Sequence, residues 1–243
     1  MDGSSCQPLA VDIQELTKSF GNHLALKGLD LKVRKGDFLT IVGPNGAGKT
    51  TLIKVLATTM RPSSGSVQVA GFDLKENPVQ VRCNIGIVSH HPFLYDDLTS
   101  FENLKFYGRM YGVPDLEERI HTVAIRFELI PRLHHQVRTL SRGLRQRLSI
   151  ARAVIHNPRI MLLDEPESGL DQHASAMLQE TLDAMSAEEG TIIMTTHSLE
   201  YGLKVGNRVA ILTGGKIAYE ESTQALNLDN LRETYYRYTG TRR

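Results

Sequence analysis

The chain has only two cysteines, Cys6 and Cys83. They are too few and too far apart for a zinc cluster or a disulfide framework, so a reducing compartment is expected. Charge of one sign is missing as well. With 28 basic against 27 acidic residues the net charge is +1, which supplies no broad field toward nucleic acid or an anionic bilayer. No nucleic-acid partner is expected. Long apolar runs are absent, since none approaches the roughly 20 residues that cross a bilayer. The stretch from Met1 to Ala10 lacks the basic start and apolar segment of a signal peptide. Service to a membrane would therefore go through another chain. Internal repeats and long linkers are missing too. What remains is a chain of 243 residues, 41% hydrophobic, able to bury a proper core as one large domain or two small ones.

Short apolar segments between glycine-containing turns, Val11 to Leu16, Leu29 to Val33 and Phe38 to Val42, predict strands. Another, Val67 to Val69, follows the Ser64-Gly65-Ser66 turn. From about Thr99 to Asn157 the pattern becomes helical, opening with Thr99 and Glu102 at capping-box spacing and punctuated by Pro114 and Pro131. After Pro158 come three further strands, Ile160 to Leu163, Thr191 to Thr195 and Val209 to Leu212, separated by helical stretches. Such alternation predicts a parallel sheet covered by helices. Gly214-Gly215 reads as the turn of a small hairpin into Lys216 to Tyr219.

Gly43-Pro44-Asn45-Gly46-Ala47-Gly48-Lys49-Thr50 matches G-x-x-x-x-G-K-[ST] without a gap, after an apolar strand and before the helical Thr51 to Ala57. Glycines suit a backbone that must wrap an anion with its N–H groups turned inward. The helix starting near Lys49 adds its positive end. Lys49 can reach β- and γ-phosphates as a point charge, and the Thr50 hydroxyl can ligate Mg²⁺. A glycine-rich turn that binds nothing can share these letters; the strand before and the helix after favour phosphate. Ile160-Met-Leu-Leu-Asp164-Glu165 then places two carboxylates at the end of an apolar strand. Asp164 suits Mg²⁺, and Glu165 suits orienting and deprotonating a water. Before Pro166 the pair could also be ordinary turn chemistry.

With these motifs in order, the sequence resembles the ABC ATPase family from about Leu9 to Glu220. Leu140-Ser-Arg-Gly-Leu-Arg-Gln146 is similar to the family signature, Ser168-Gly-Leu-Asp171 to its D-loop, His197 to its switch histidine and Phe20 to its adenine-stacking aromatic. The resemblance implies an α/β P-loop NTPase with a RecA-like parallel core, an N-terminal antiparallel β subdomain and an inserted α-helical subdomain. It also implies one domain over 1–243: β subdomain and core about 9–90, helical subdomain about 91–157, core continued about 158–220 and a tail 221–243. ATP and Mg²⁺ are the implied cofactors. The implied nucleotide contacts are Phe20, Gly43 to Thr51, and from a second copy Ser141, Gly143 and Asp171. Asp164 and Thr50 hold the metal, Lys49 and Glu165 act on the reaction, and His197 senses the γ-phosphate. Taken alone, His197 could be a packed or solvent-facing residue, Phe20 a core aromatic and Asp171 an N-cap.

Three positions depart from the family. His90 stands where a glutamine usually touches Mg²⁺ and water; imidazole is a poorer partner for a hard cation and titrates near neutral pH. His90 is kept among the catalytic and metal-linked candidates, with pH-sensitive hydrolysis as its consequence. Arg142 either adds a cation to the opposing γ-phosphate or faces solvent. Leu144 lacks the amide of the usual glutamine. These departures point to a subfamily: His90-His-Pro, Leu94 to Leu104, Phe106-Tyr107, Leu140-Ser-Arg-Gly and Arg147 to Arg152 resemble the ATPase subunit of cytochrome c maturation, or haem exporter, transporters. No Cys-x-x-Cys-His occurs, His134-His135 reads as a solvated pair, and no direct haem binding is expected. The reading is an ATPase homodimer on the cytoplasmic face of the cell membrane, held there by transmembrane subunits that contact the region from His90 to Tyr107. Other exporters of drugs, lipids or small molecules, a slow ATP-binding regulatory subunit, and soluble ABC machinery are the alternatives.

Overall fold

A computed structural model describes residues 8–168 and 170–240. The chain begins with a long hairpin, β1 (Leu9–Phe20) and β2 (His23–Arg34), followed by β3 (Phe38–Val42) and α1 (Lys49–Leu56). Next come β4 (Ser64–Val69), β5 (Phe72–Asp73), α2 (Pro78–Asn84) and β6 (Ile85–Val88). The helical block holds α3 (Ser100–Met110), α4 (Leu116–Arg126) and α5 (Arg142–Val154). The chain then returns through β7 (Ile160–Asp164), α6 (Gln172–Ala187), β8 (Thr191–Thr196) and α7 (Leu199–Val205). It finishes with β9 (Arg208–Thr213), β10 (Lys216–Ser222) and α8 (Leu228–Thr239).

The central sheet has the order β10-β9-β3-β8-β7-β6, parallel except for β10 at its edge. Every residue of β3, β7 and β8 is buried, the burial expected of strands covered on both faces. One core lies between this sheet, α1 and the antiparallel sheet β2-β1-β4-β5; it holds Leu16, Leu29, Ile41 and Leu52. A second lies on the other face, where Leu104, Phe127, Leu148 and Leu163 join the helical block to the sheet. A third, smaller cluster puts Leu231 of α8 against Val42, Val209 and Ile211.

The first two strands run further than their apolar centres suggest. Hydrophobic patterning picks out Val11 to Leu16 and Leu29 to Val33, yet pairing continues to Phe20↔His23. Most of the added residues are exposed or half-buried, with Ala25 and Leu26 buried, and they close on the Gly21-Asn22 turn, so their backbone pairing does not require continuous apolarity. The helices α2 and α8 are also additions to the sequence reading. Pro78 starts α2 at a position where its missing N–H is harmless. The Thr99 capping box is formed, with the Glu102 N–H donating to Thr99 Oγ1 at 3.1 Å and the Thr99 N–H donating to Glu102 Oε2 at 2.8 Å. The Gly214-Gly215 hairpin forms as expected.

Candidate functional site

The buried strand β3 delivers the chain to Gly43, whose Cα is pressed against the Leu212 carbonyl so closely that a side chain has no room. Gly48, the residue before α1, has φ +109°, and a Cβ there would sit 2.7 Å from the Ala25 carbonyl. A glycine is therefore required by both backbone angle and space. Pro44, Asn45, Gly46 and Ala47 make the turn between these points. The side chain of Lys49 is 5% exposed and donates to Gly43 O at 2.7 Å and Pro44 O at 3.2 Å. Its Nζ also lies 3.3 Å from Glu165 Oε1. The amino group is thus held over the loop by its own carbonyls and by the catalytic candidate across the cleft.

That cleft, of about 380 Å³, is lined by Phe20, His23, Ala25, residues 45–51 and Glu165. Phe20 is half-exposed at the tip of the β1–β2 hairpin, with Lys18 Nζ 5.3 Å from its ring centroid. An aromatic face at one end and a cation with helix N–H groups at the other suit a nucleotide's base and phosphates.

The parallel register of β7 and β8 sets Asp164 beside Thr195. Asp164 Oδ1 accepts from Thr195 Oγ1 at 2.9 Å and from Thr50 Oγ1 at 3.1 Å. The next residue leaves the strand in the left-handed region, Glu165 at φ +48°, while its N–H donates to Thr195 O at 3.0 Å. This turn swings the Glu165 carboxylate toward Lys49. Its Oε2 lies 3.9 Å from His197 Nδ1 and 4.0 Å from His90 Nε2. His197 Nδ1 is also 3.9 Å from Glu167 Oε1, and Glu167 accepts a very short bond from the Thr196 hydroxyl.

For Mg²⁺, the chain offers one hydroxyl, Thr50, and one buried carboxylate, Asp164, already joined by a hydrogen bond. No group of three His, Cys, Asp or Glu suited to a metal occurs among the described residues. The two oxygen donors fit a magnesium ion whose remaining positions go to phosphate and water. His90, half-exposed and placed at Glu165, adds nothing to that oxygen set.

Ser141 caps α5, its Oγ accepting from the Leu144 N–H at 3.3 Å. Asp171 caps α6 through the Ala174 N–H at 2.8 Å, and its own N–H donates to Gln146 Oε1 at 3.1 Å. The Asp171 carboxylate presses on Gly143 where any Cβ would stand. Ser141, Gly143 and Asp171 therefore form one unit, but none of them lines the Lys49 cleft. His90, Arg142 and Glu165 share a neighbouring cleft of about 250 Å³. Arg142 is exposed, and Leu144 packs onto the second core. Gly169, in the run from Ser168 to Asp171, lies outside the described residues, as does Cys6. His134 and His135 are exposed. Three residues at the site escaped the sequence reading: Thr195, His23 and Glu167. Only the first has a sequence signal, a polar residue closing an apolar strand.

The family model for ABC transporters matches residues 26–168. The ABC transporter ATP-binding protein NatA of Bacillus subtilis is 35% identical over 205 residues, 83% of each chain. A daunorubicin resistance ATP-binding protein of Streptomyces coeruleorubidus is 33% identical over 90% of this chain and 70% of its own. Among solved structures, a dimeric ATP-binding cassette in a post-hydrolysis state, bound to ADP and Pi, superposes with a TM-score of 0.77 at 28% identity, covering 88% of this chain and 98% of that one.

Proposed function

This chain belongs to the ABC transporter family as an ATP-binding, ATP-hydrolysing subunit, and we propose that two copies close head-to-tail over two nucleotides to drive an exporter. Phe20 stacks on adenine, the N–H groups from Gly46 to Thr51 surround the β- and γ-phosphates, and Lys49 adds its charge. Thr50 and Asp164 would hold Mg²⁺, which when bound offsets charge on the phosphate oxygens. Ser141 and Gly143 of the second copy cover the γ-phosphate, and Asp171 couples the two sites.

The observation that carries this reading is the contact of Lys49 with Glu165 at 3.3 Å. An arriving γ-phosphate competes for Lys49 and releases the carboxylate toward water. Water oxygen then bonds to the γ-phosphorus, the bond to the β–γ bridging oxygen breaks, and the proton passes to Glu165. His197 holds the γ-phosphate and the water against Glu165, and His90 meets the same carboxylate from the loop after β6. Comparing phosphate release by wild type and Glu165→Gln tests the assignment: equal rates would remove it.

No helix among the described residues is long and apolar enough to cross a membrane. The chain docks on the inner face of the membrane through transmembrane subunits, using the exposed aromatic patch of Phe93, Tyr95 and Phe106 beside the His90 loop. The relative named for daunorubicin resistance favours a drug exporter over the haem cargo suggested by the resemblance of the run from His90 to Leu104. Copurifying the membrane subunits and measuring which compound stimulates hydrolysis decides between the two cargoes.

A further inference from the structure

Arg152, on the last turn of α5, is only 3% exposed. Burying a guanidinium costs several kcal/mol unless its charge is met, and an apolar replacement of similar volume is often neutral or stabilising. Among the described residues no carboxylate pairs with Arg152, and its Nε has no hydrogen-bond partner. Its charge is met by carbonyls and rings. Nη2 donates to Ile87 O at 2.9 Å and Pro92 O at 3.3 Å, while the guanidinium carbon lies 5.3 Å from the Phe93 ring centroid and 5.5 Å from that of Tyr107.

Those two carbonyls sit on either side of His90. Ile87 belongs to β6, and Pro92 lies past the His90-His91 pair, so a single guanidinium nitrogen, Nη2, holds both ends of the loop. Other bonds converge on the far end. Ser149 Oγ donates to Pro92 O at 3.3 Å and Tyr107 OH to Phe93 O at 2.6 Å. Phe93 itself is held at φ +52°, a conformation that surrounding contacts must enforce in a non-glycine residue. A lysine, with no flat face to lie against the rings of Phe93 and Tyr107, cannot reproduce this grip.

We propose that Arg152 is a positioning residue for hydrolysis: it clamps the loop from Val88 to Pro92 so that His90 meets Glu165, and it makes that loop move with the helix that carries Ser141. The proposal rests on the ATPase reading above. It explains why a buried cation stands where a neutral side chain would pack, and it links the loop facing the chain's own nucleotide to the helix facing the other copy's.

The sequence has no tryptophan, so His91→Trp gives a single fluorescent reporter on the exposed part of the loop. In that background we expect Arg152→Met to raise acrylamide quenching at least twofold. Phosphate release per nucleotide-binding site should fall at least tenfold, with KM for MgATP within twofold of the parent. Arg152→Lys should recover less than half of the lost rate. If both variants fail to fold, Tyr107→Phe, which removes only one hydroxyl from the clamp, should raise quenching and lower kcat about threefold. Unchanged quenching and a rate within twofold of the parent, in Arg152→Met or, failing that, in Tyr107→Phe, would overturn the proposal. A parent that hydrolyses no faster than Glu165→Gln would instead remove the ATPase reading, and the quenching comparison would still decide whether Arg152 holds the loop.

Discussion

Replacing Glu165 by glutamine tests two consequences of one ion pair. Lys49 Nζ and Glu165 Oε1 are 3.3 Å apart, with side chains 5% and 20% exposed. At an effective dielectric constant of about 20 their gross attraction is about 5 kcal/mol. Desolvation of both groups and access of water to the carboxylate reduce the net value to about 1 kcal/mol. Nucleotide binding has to give up that net term, because Lys49 must turn to phosphate. Glutamine keeps the shape and a weaker hydrogen bond but removes the charge. MgATP should therefore bind Glu165→Gln roughly fivefold more tightly, the equivalent of about 1 kcal/mol. MgADP, without the γ-phosphate that competes for Lys49, should gain less. Turnover should fall by about 10² to 10⁴, the usual contribution of a general base. Equilibrium binding of a fluorescent ATP analogue, with phosphate release measured on the same samples, gives both quantities. Unchanged or weaker MgATP affinity would refute the competition for Lys49, and turnover within tenfold of wild type would refute the base.

Phe20→Ala should raise KM for MgATP by roughly fivefold, the equivalent of about 1 kcal/mol of stacking, with kcat retained and Phe20→Tyr close to wild type. Ser141→Ala removes the bond to the Leu144 N–H; a cap of this kind is worth about 1 kcal/mol, readable as a Tm lowered by about 2–4 °C. The same variant should lose ATP-dependent dimerisation on a sizing column while still binding nucleotide as a monomer. His156, half-buried and stacked on Tyr111 with ring centroids 4.0 Å apart, has its pKa pushed down from 6.5 to about 4, chiefly by desolvation. The unfolded chain then takes up a proton that the folded one refuses, so stability is fully present above about pH 6.5 and declines as pH falls toward 4. The contribution is on the order of 3 kcal/mol. Urea unfolding of His156→Gln across this window should give a flatter dependence than wild type, and parallel curves would contradict the assignment.

The phosphate loop was legible because its chemistry is contiguous: eight residues in a row, between a strand and a helix, contain the turn, the cation and the hydroxyl. Asp164 and Glu165 were legible for a similar reason, standing at the end of four apolar residues, Ile160 to Leu163. Thr195 was not, since its hydroxyl reaches Asp164 only because β7 and β8 lie side by side in parallel register. Pairing between segments so far apart leaves no trace in either alone. Arg152 shows the same limit from another side. Within the run Arg147 to Arg152 it looks like any helical arginine, and its burial and grip on Ile87 and Pro92 depend on how α5 meets β6. His23 lines the Lys49 cleft because the first hairpin continues past its apolar centre. The cargo was least legible, because the motifs legible in this chain handle nucleotide.

The contact of Leu231 with Val42 has a practical bearing on how this protein is handled. Val42 is the last strand residue before Gly43, so the closing helix leans on the root of the nucleotide grip from behind. A purification tag, a fusion or a binding protein that tugs on that helix acts on a lever whose short arm ends at the Gly43 loop. Deleting the helix would strip apolar cover from the same root. Labels meant to be silent belong elsewhere on the surface, and a switch meant to slow the motor could be attached there.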